Sequence, residues 1–226
     1  MNKELYVYQH LGLGDHIICN GLIRNICKRV EKVNLFCKPH NVESVGFMFR
    51  DIHNLSIVKA DDKDAQNILK NVPQETHLVI GHQYLDCIQN YDKFFYHSVG
   101  LDFDKRWSDF YILRDNKREQ ELYDKFEIKG DYIFIHEDTQ RNFNIDKTHI
   151  PQNVQVVTPD IRFTNNIFDY LKIIENATEI HVIDSSFKHI IESIEVKSKK
   201  LYYHKYARLY NDNFLYNISK KNWIVL

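Results

Sequence analysis

Glycine and proline are scarce, with seven and four residues in a chain of 226. No low-complexity tract and no short-period repeat interrupts the sequence. With 43% hydrophobic and 27% charged residues, a packed core is feasible and global disorder is excluded. Neither sign of charge is in excess: 30 Lys and Arg stand against 31 Asp and Glu, a formal charge of −1. That balance lacks the basic face of a dedicated nucleic-acid binder, so no nucleic-acid partner is expected. No apolar run approaches the roughly 18 residues that span a bilayer. Met1-Asn2-Lys3-Glu4 also lacks the apolar core of a signal peptide. The expectation is a cytoplasmic protein with no transmembrane segment, which leaves room for peripheral membrane contact. Cys19, Cys27, Cys37 and Cys87 form no C-x-x-C pair. Reduced, mostly structural thiols fit them best. The twelve histidines are scattered without a His-x-x-x-His pair, so no metal is expected.

What is present begins at the N-terminus. Leu5 to Gln9 reads as an apolar strand, Leu11-Gly12-Leu13-Gly14-Asp15-His16 as a turn, and Ile17 to Arg29 as an amphipathic helix. This is the opening βα unit of an open α/β sheet. Asp15 falls at or next to the helix N-cap, at the mouth where ligands bind in such folds. Gly12-x-Gly14 is half of a dinucleotide fingerprint, because Ile17 occupies the third glycine position. Taken alone, it is equally a tight turn with a capping Asp. Arg24, on this helix, is read as a solvated position that could face a ligand cleft.

Strands at Val33–Cys37, Leu55–Val58 and His77–Ile80 follow, separated by helices at Val42–Arg50 and Asp62–Lys70. Helical spacing continues over Tyr91–Val99. A charged stretch from Arg114 to Lys125 could link two lobes. A second series then runs through strands Tyr132–His136 and Val154–Val157, helix Asn166–Ala177 and strand Glu179–Ile183. Helix Phe187–Ile194 and strand Leu201–Tyr206 complete it, with Trp223–Leu226 as a last short strand. The βαβα order, met twice, predicts α/β architecture: two Rossmann-like lobes with parallel sheets facing a central cleft, residues 1–126 and 127–226.

The second lobe carries its own turn, Asp184-Ser185-Ser186-Phe187-Lys188-His189, between a strand and a helix. Ser185 and Ser186 can cap that helix while its free N–H groups receive an anion. His189, one turn further on, can point back toward the same mouth. His136 ends its strand where ligands bind, although a structural hydrogen-bonded role suits it equally. Arg141, in the polar loop that follows, is a candidate cation because guanidinium grips phosphate bidentately. Glu137 and Asp138 would repel phosphate and are assigned to an acceptor or to solvent.

Two such turns at equivalent positions resemble the GT-B glycosyltransferases, and among them the ADP-heptose:lipopolysaccharide heptosyltransferases. That family opens with strand, Gly-x-Gly-Asp turn and helix, as Gly12-Leu13-Gly14-Asp15 does. Its C-terminal lobe has a strand ending in Asp-(Thr/Ser)-Gly-x-x-His, matched by Asp184 to His189 with Ser186 in place of Gly. The resemblance implies metal-independent, inverting transfer of a sugar from a nucleotide-sugar donor to a glycan or lipid-linked glycan acceptor, as in polysaccharide biosynthesis, with no cofactor. Asp15 on the acceptor side would be the general base. Gly12, Gly14, His136, Arg141, Asp184, Ser185, Ser186 and His189 would serve the donor. Two alternatives keep the fold: a GT-B-like sugar-nucleotide epimerase or pyruvyl transferase, and a non-catalytic sugar- or nucleotide-binding protein.

Overall fold

A computed structural model describes residues 3–81, 91–208 and 219–226; Cys87 lies outside them. The described residues divide into two compact α/β units, 3–81 with 91–113, and 114–208 with 219–226. In the first unit, β1 (Glu4–Tyr8), β2 (Lys32–Cys37), β3 (Leu55–Lys59) and β4 (His77–Val79) form one sheet in the order β3-β2-β1-β4. Every pairing in it is parallel. Five of the six β2 residues are buried, as a central strand covered on both faces requires. The edge strands β3 and β4 alternate more and keep part of their surface in water.

The first helical stretch begins earlier than its periodicity predicts and is broken in two. Helix α1 (Leu13–Ile18) starts directly after Gly12, and α2 (Asn20–Cys27) follows Cys19, whose ψ of 5° flattens the turn between them. All eight residues of α2 are buried. Helices α3 (Val42–Met48) and α4 (Asp62–Leu69) connect the next strands. Asp61 caps α4 by accepting from Asp64 N at 2.9 Å. Tyr8, Leu11, Phe36, Ala60, Ala65 and Leu69 form one buried cluster between this helix and the sheet. Burying each large side chain there is worth about 1.5–3 kcal/mol. Helices α5 (Tyr91–His97) and α6 (Lys105–Ser108) complete the unit.

The second unit begins with α7 (Asn116–Lys125), then holds β5 (Tyr132–His136), β6 (Gln155–Val157), α8 (Leu171–Asn176) and β7 (Glu179–Val182). Helix α9 (Ser186–Ser193), β8 (Lys200–Tyr203) and β9 (Trp223–Val225) follow. The strand order is β6-β5-β7-β8-β9, again wholly parallel. The charged helix α7 belongs here, not to the first unit. Its Leu122 is buried, and Arg118 pairs with Asp169 at 2.8 Å. Arg114, just before it, bridges Glu119 and Glu175. Among the described residues, no helix is long and apolar enough to cross a membrane.

Candidate functional site

In each sheet, one place is marked by the direction of the chain. From β1 the chain moves outward through β2 to β3, then returns to the other side of β1 as β4. From β5 it moves to β6, then crosses back beyond β5 to β7 and β8. Loops leaving β1 and β4, or β5 and β7, therefore diverge and open a crevice at the strands' C-terminal ends. The two turns singled out from the sequence lie at these two crevices.

At the first crevice, Gly12 is the N-cap of α1 in extended conformation, with φ −69° and ψ 143°. Asp15 occupies the first turn of α1 and not the cap. Its position there is favourable, since the helix N-terminus stabilises negative charge. A methyl group at Gly12 would lie 2.6 Å from Asp15 Oδ2, so the half-buried carboxylate is folded back against the Gly12 backbone. Gly14 lies one residue before it, within the same helical turn. Behind this turn, Gln9 Nε2 and His16 Nδ1 are 2.7 Å apart in the core. Gln9 Oε1 and His16 Nε2 are buried and have no hydrogen-bond partner among the described residues. Burial alone pushes the His16 pKa down to about 3, because a charged imidazole there would lose its hydration. Gly81, after β4, has φ +84° and lies against the Phe95 ring, where no side chain would fit.

At the second crevice, His136 is the last residue of β5 and lies in register with Val182 of β7. Its ring packs on Phe187 at 4.5 Å between centroids. The Nδ1 atom is buried and has no hydrogen-bond partner among the described residues. Burial, reinforced by the nearby positive charges of Arg141 and Arg208, lowers the His136 pKa to about 4, against the opposing pull of Asp138 and Glu137. Ser185 is the N-cap of α9, yet its side chain makes no capping hydrogen bond, and its buried Oγ has no partner among the described residues. Ser186 begins the helix, and His189 sits buried one turn in. Arg208, after β8, donates to the carbonyl of Asp184 at 2.7 Å.

The loop after β5 folds tightly on itself. Asn142 takes the left-handed conformation at φ 61°, which brings Phe143 back to pair with Asp138 through N–H···O bonds of 2.8 and 2.9 Å. Arg141 is exposed at its tip and pairs with Asp138, Nε to Oδ2, at 2.6 Å. Burial raises the Asp138 carboxyl, but hydrogen bonds from Arg141 outweigh it and hold the pKa below the usual range. Glu137 is likewise tied to Lys147 at 2.7 Å. Arg208 is the residue that sequence reasoning missed. Its only local signal is a charge in a tyrosine-rich stretch, and the fold alone brings it to Asp184.

Arg24 is not solvated. It is buried, bound to both Asp51 oxygens at 2.8 and 2.9 Å and to the Tyr111 carbonyl at 3.1 Å. Asp51 lies near the N-terminal ends of β2 and β3, away from the crevice, where Arg24 holds helix to loop. Cys19, Cys27 and Cys37 are free and buried. Burial pushes the Cys27 thiol up to about 11 and Cys37 to about 12, as befits unreactive core groups. Among the described residues, no cluster of three or more His, Cys, Asp or Glu side chains could hold a metal ion.

No family model matches the sequence, and comparison with curated proteins returns no match. Among solved structures, the chain shares its fold with the crystal structure of the glycosyl transferase family 9 from Veillonella parvula DSM 2008. The TM-score is 0.56 and the identity 12%, with 100% of this chain and 87% of that chain covered. The α/β architecture with two parallel sheets is therefore of GT-B type.

Proposed function

We propose that this chain is a glycosyltransferase that moves a sugar from a nucleotide-sugar donor to a glycan or lipid-linked glycan acceptor. One observation carries the reading: the whole chain shares its fold with a glycosyl transferase family 9 protein. Two turns suited to the reaction lie at the switch points of its two sheets. In this reading Asp15 takes the proton from an acceptor hydroxyl, whose oxygen attacks the anomeric carbon with inversion. The bond to the diphosphate oxygen breaks, and the nucleoside diphosphate leaves with the electron pair. The N-terminus of α9, with Ser185, Ser186 and His189, stabilises that developing charge without a metal. Asp184, His136 and Arg141 complete the donor side, and Gly12 and Gly14 let a ligand approach the backbone. The enzyme acts in the cytoplasm with no cofactor, in polysaccharide biosynthesis.

The test is turnover with a panel of nucleotide sugars and glycan acceptors in the presence of EDTA. Asp15→Asn is expected to lower kcat by about 10²–10⁴-fold, the scale of a lost general base. Affinity for the donor should be retained. A near-wild-type rate in this variant would remove Asp15 from the mechanism.

A further inference from the structure

We propose that Arg208 is the cation that meets the ligand's phosphate at the N-terminus of α9. The inference rests on the transferase reading for the identity of the ligand, a nucleoside diphosphate, and on geometry for the residue. Arg208 Nη1 lies 2.7 Å from the carbonyl of Asp184, the peptide oxygen immediately before Ser185. This anchor sets the half-buried guanidinium beside the first turn of an eight-residue helix, whose free N–H groups favour an anion. Its plane is further fixed by Phe143, 5.4 Å from the ring centroid to Cζ.

Two polar groups at the same crevice point to a ligand independently. Ser185 is only 9% exposed, and its Oγ has no partner among the described residues although it occupies a capping position. His136 Nδ1 is in the same state at the end of the neighbouring strand β5. A buried hydroxyl left without a partner is destabilising, so its retention beside a helix N-terminus and a guanidinium fits a bound oxyanion. Arg208 also bears on His136, whose second proton it disfavours. A neutral His136 can donate one hydrogen bond to a phosphate oxygen without adding charge.

Arg141 is the less suited cation. It stacks on the same Phe143 ring at 5.4 Å, but it is 59% exposed and its charge is already met by Asp138. A surface guanidinium must give up that carboxylate and its hydration before it can bind phosphate, whereas Arg208 is anchored at the helix N-terminus through the Asp184 carbonyl.

The experiment measures binding of inorganic pyrophosphate, and of ADP, GDP, UDP, CDP and dTDP, to the full chain by titration calorimetry. In Arg208→Gln the pyrophosphate Kd is expected to rise at least tenfold. In Arg208→Lys it should rise less, because a point charge replaces the bidentate fork. In Arg141→Gln it should change by less than threefold. Melting temperatures show that each variant is folded, and Arg208→Lys still decides the question if Arg208→Gln is not. Unchanged affinity in a folded Arg208 variant, with the loss appearing in Arg141→Gln, overturns the inference and leaves the transferase reading standing on Asp15→Asn. Wild-type protein that binds neither pyrophosphate nor any of the five nucleotides overturns both.

Discussion

At Gly12 a hydrogen stands where a methyl group would lie 2.6 Å from the Asp15 carboxylate. The backbone there has φ −69° and ψ 143°, a conformation any residue adopts, so glycine is not required by the chain's own geometry. What a side chain would disturb is the placement of Asp15. Gly12→Ala is therefore expected to lower kcat at least tenfold, since misplacing a reacting group by about 1 Å can cost 10²-fold. The melting temperature should stay within about 2 °C of wild type, because nothing but a half-buried surface carboxylate must move. Turnover and thermal unfolding measured on the same sample check it; a variant with full kcat would show that the Asp15 position is not critical. Gly12 and Asp15 were legible as a pair in the sequence, but their mutual contact was not. Helix start and side-chain direction place the carboxylate over the backbone, and both depend on where α1 is anchored.

Helices in this fold are placed by what they meet on their outer face, and α2 shows how sharply. A side chain at Gly21 would come within 2.1 Å of the carbonyl oxygen of Lys105 in α6, so the two helices are in backbone contact there. Asn25 reinforces the contact, donating 2.7 Å hydrogen bonds both to Gly21 O and to Asp109 Oδ2. Helix propensity alone favours alanine over glycine by about 1 kcal/mol. The steric conflict with a main-chain atom is larger, in the range of about 1–3 kcal/mol for overpacking, and must separate α2 from α6. Gly21→Ala is thus expected to lower the melting temperature by several degrees; a rise would mean that propensity prevails and that the contact is soft. Spacing in the sequence identified the apolar face of this helix but assigned Arg24 to solvent. The partner that buries it, Asp51, lies 27 residues away, and no local pattern announces it.

Another chain of polar groups runs from the buried Glu179 and His181 of β7 through buried His204 to the exposed Tyr206 and Asp146. The Glu179 carboxylate accepts from His181 Nε2 at 2.8 Å, and His181 Nδ1 lies 2.8 Å from His204 Nε2. His204 Nδ1 then faces the Tyr206 hydroxyl at 2.9 Å, which accepts from Asp146 N at 2.7 Å. Strand register sets this series, because His181 and Tyr202 are paired residues of adjacent strands and their rings stack at 4.4 Å. It ties the loop after β5 to the sheet that supports the second crevice.

For the whole molecule, the two units have in common a histidine kept neutral by burial. His16 in the first takes its proton only near pH 3, and His136 in the second near pH 4, against an ordinary value of 6.5. In the unfolded chain both would be protonated below about 6.5, so between that value and the folded pKa the unfolded state binds more protons. Stability is then fully present above pH 6.5 and is lost as the pH falls toward 4, by up to about 1.4 kcal/mol per pH unit for each histidine. Urea unfolding followed by circular dichroism between pH 7.5 and 5 should show this slope, and His16→Asn should flatten it. An unchanged slope in that variant would place the acid sensitivity elsewhere.

The alternation of apolar strands with amphipathic helices was by itself enough to specify two parallel α/β units and the position of both turns. Those features follow from local periodicity and backbone chemistry, which every short window of the chain carries. Strand order, and with it the two crevices, came only from tertiary structure, because pairing joins segments whose separation the local pattern does not encode. The same holds for the helix α7, polar enough to pass for a linker until Arg118 finds Asp169, 51 residues on. It holds for Arg208 too, which reaches the Asp184 carbonyl across 24 residues once β8 has docked beside β7. Burial is a property of a neighbourhood, and the neighbours of His16, Arg24, Ser185 and Arg208 exist only after the chain has folded.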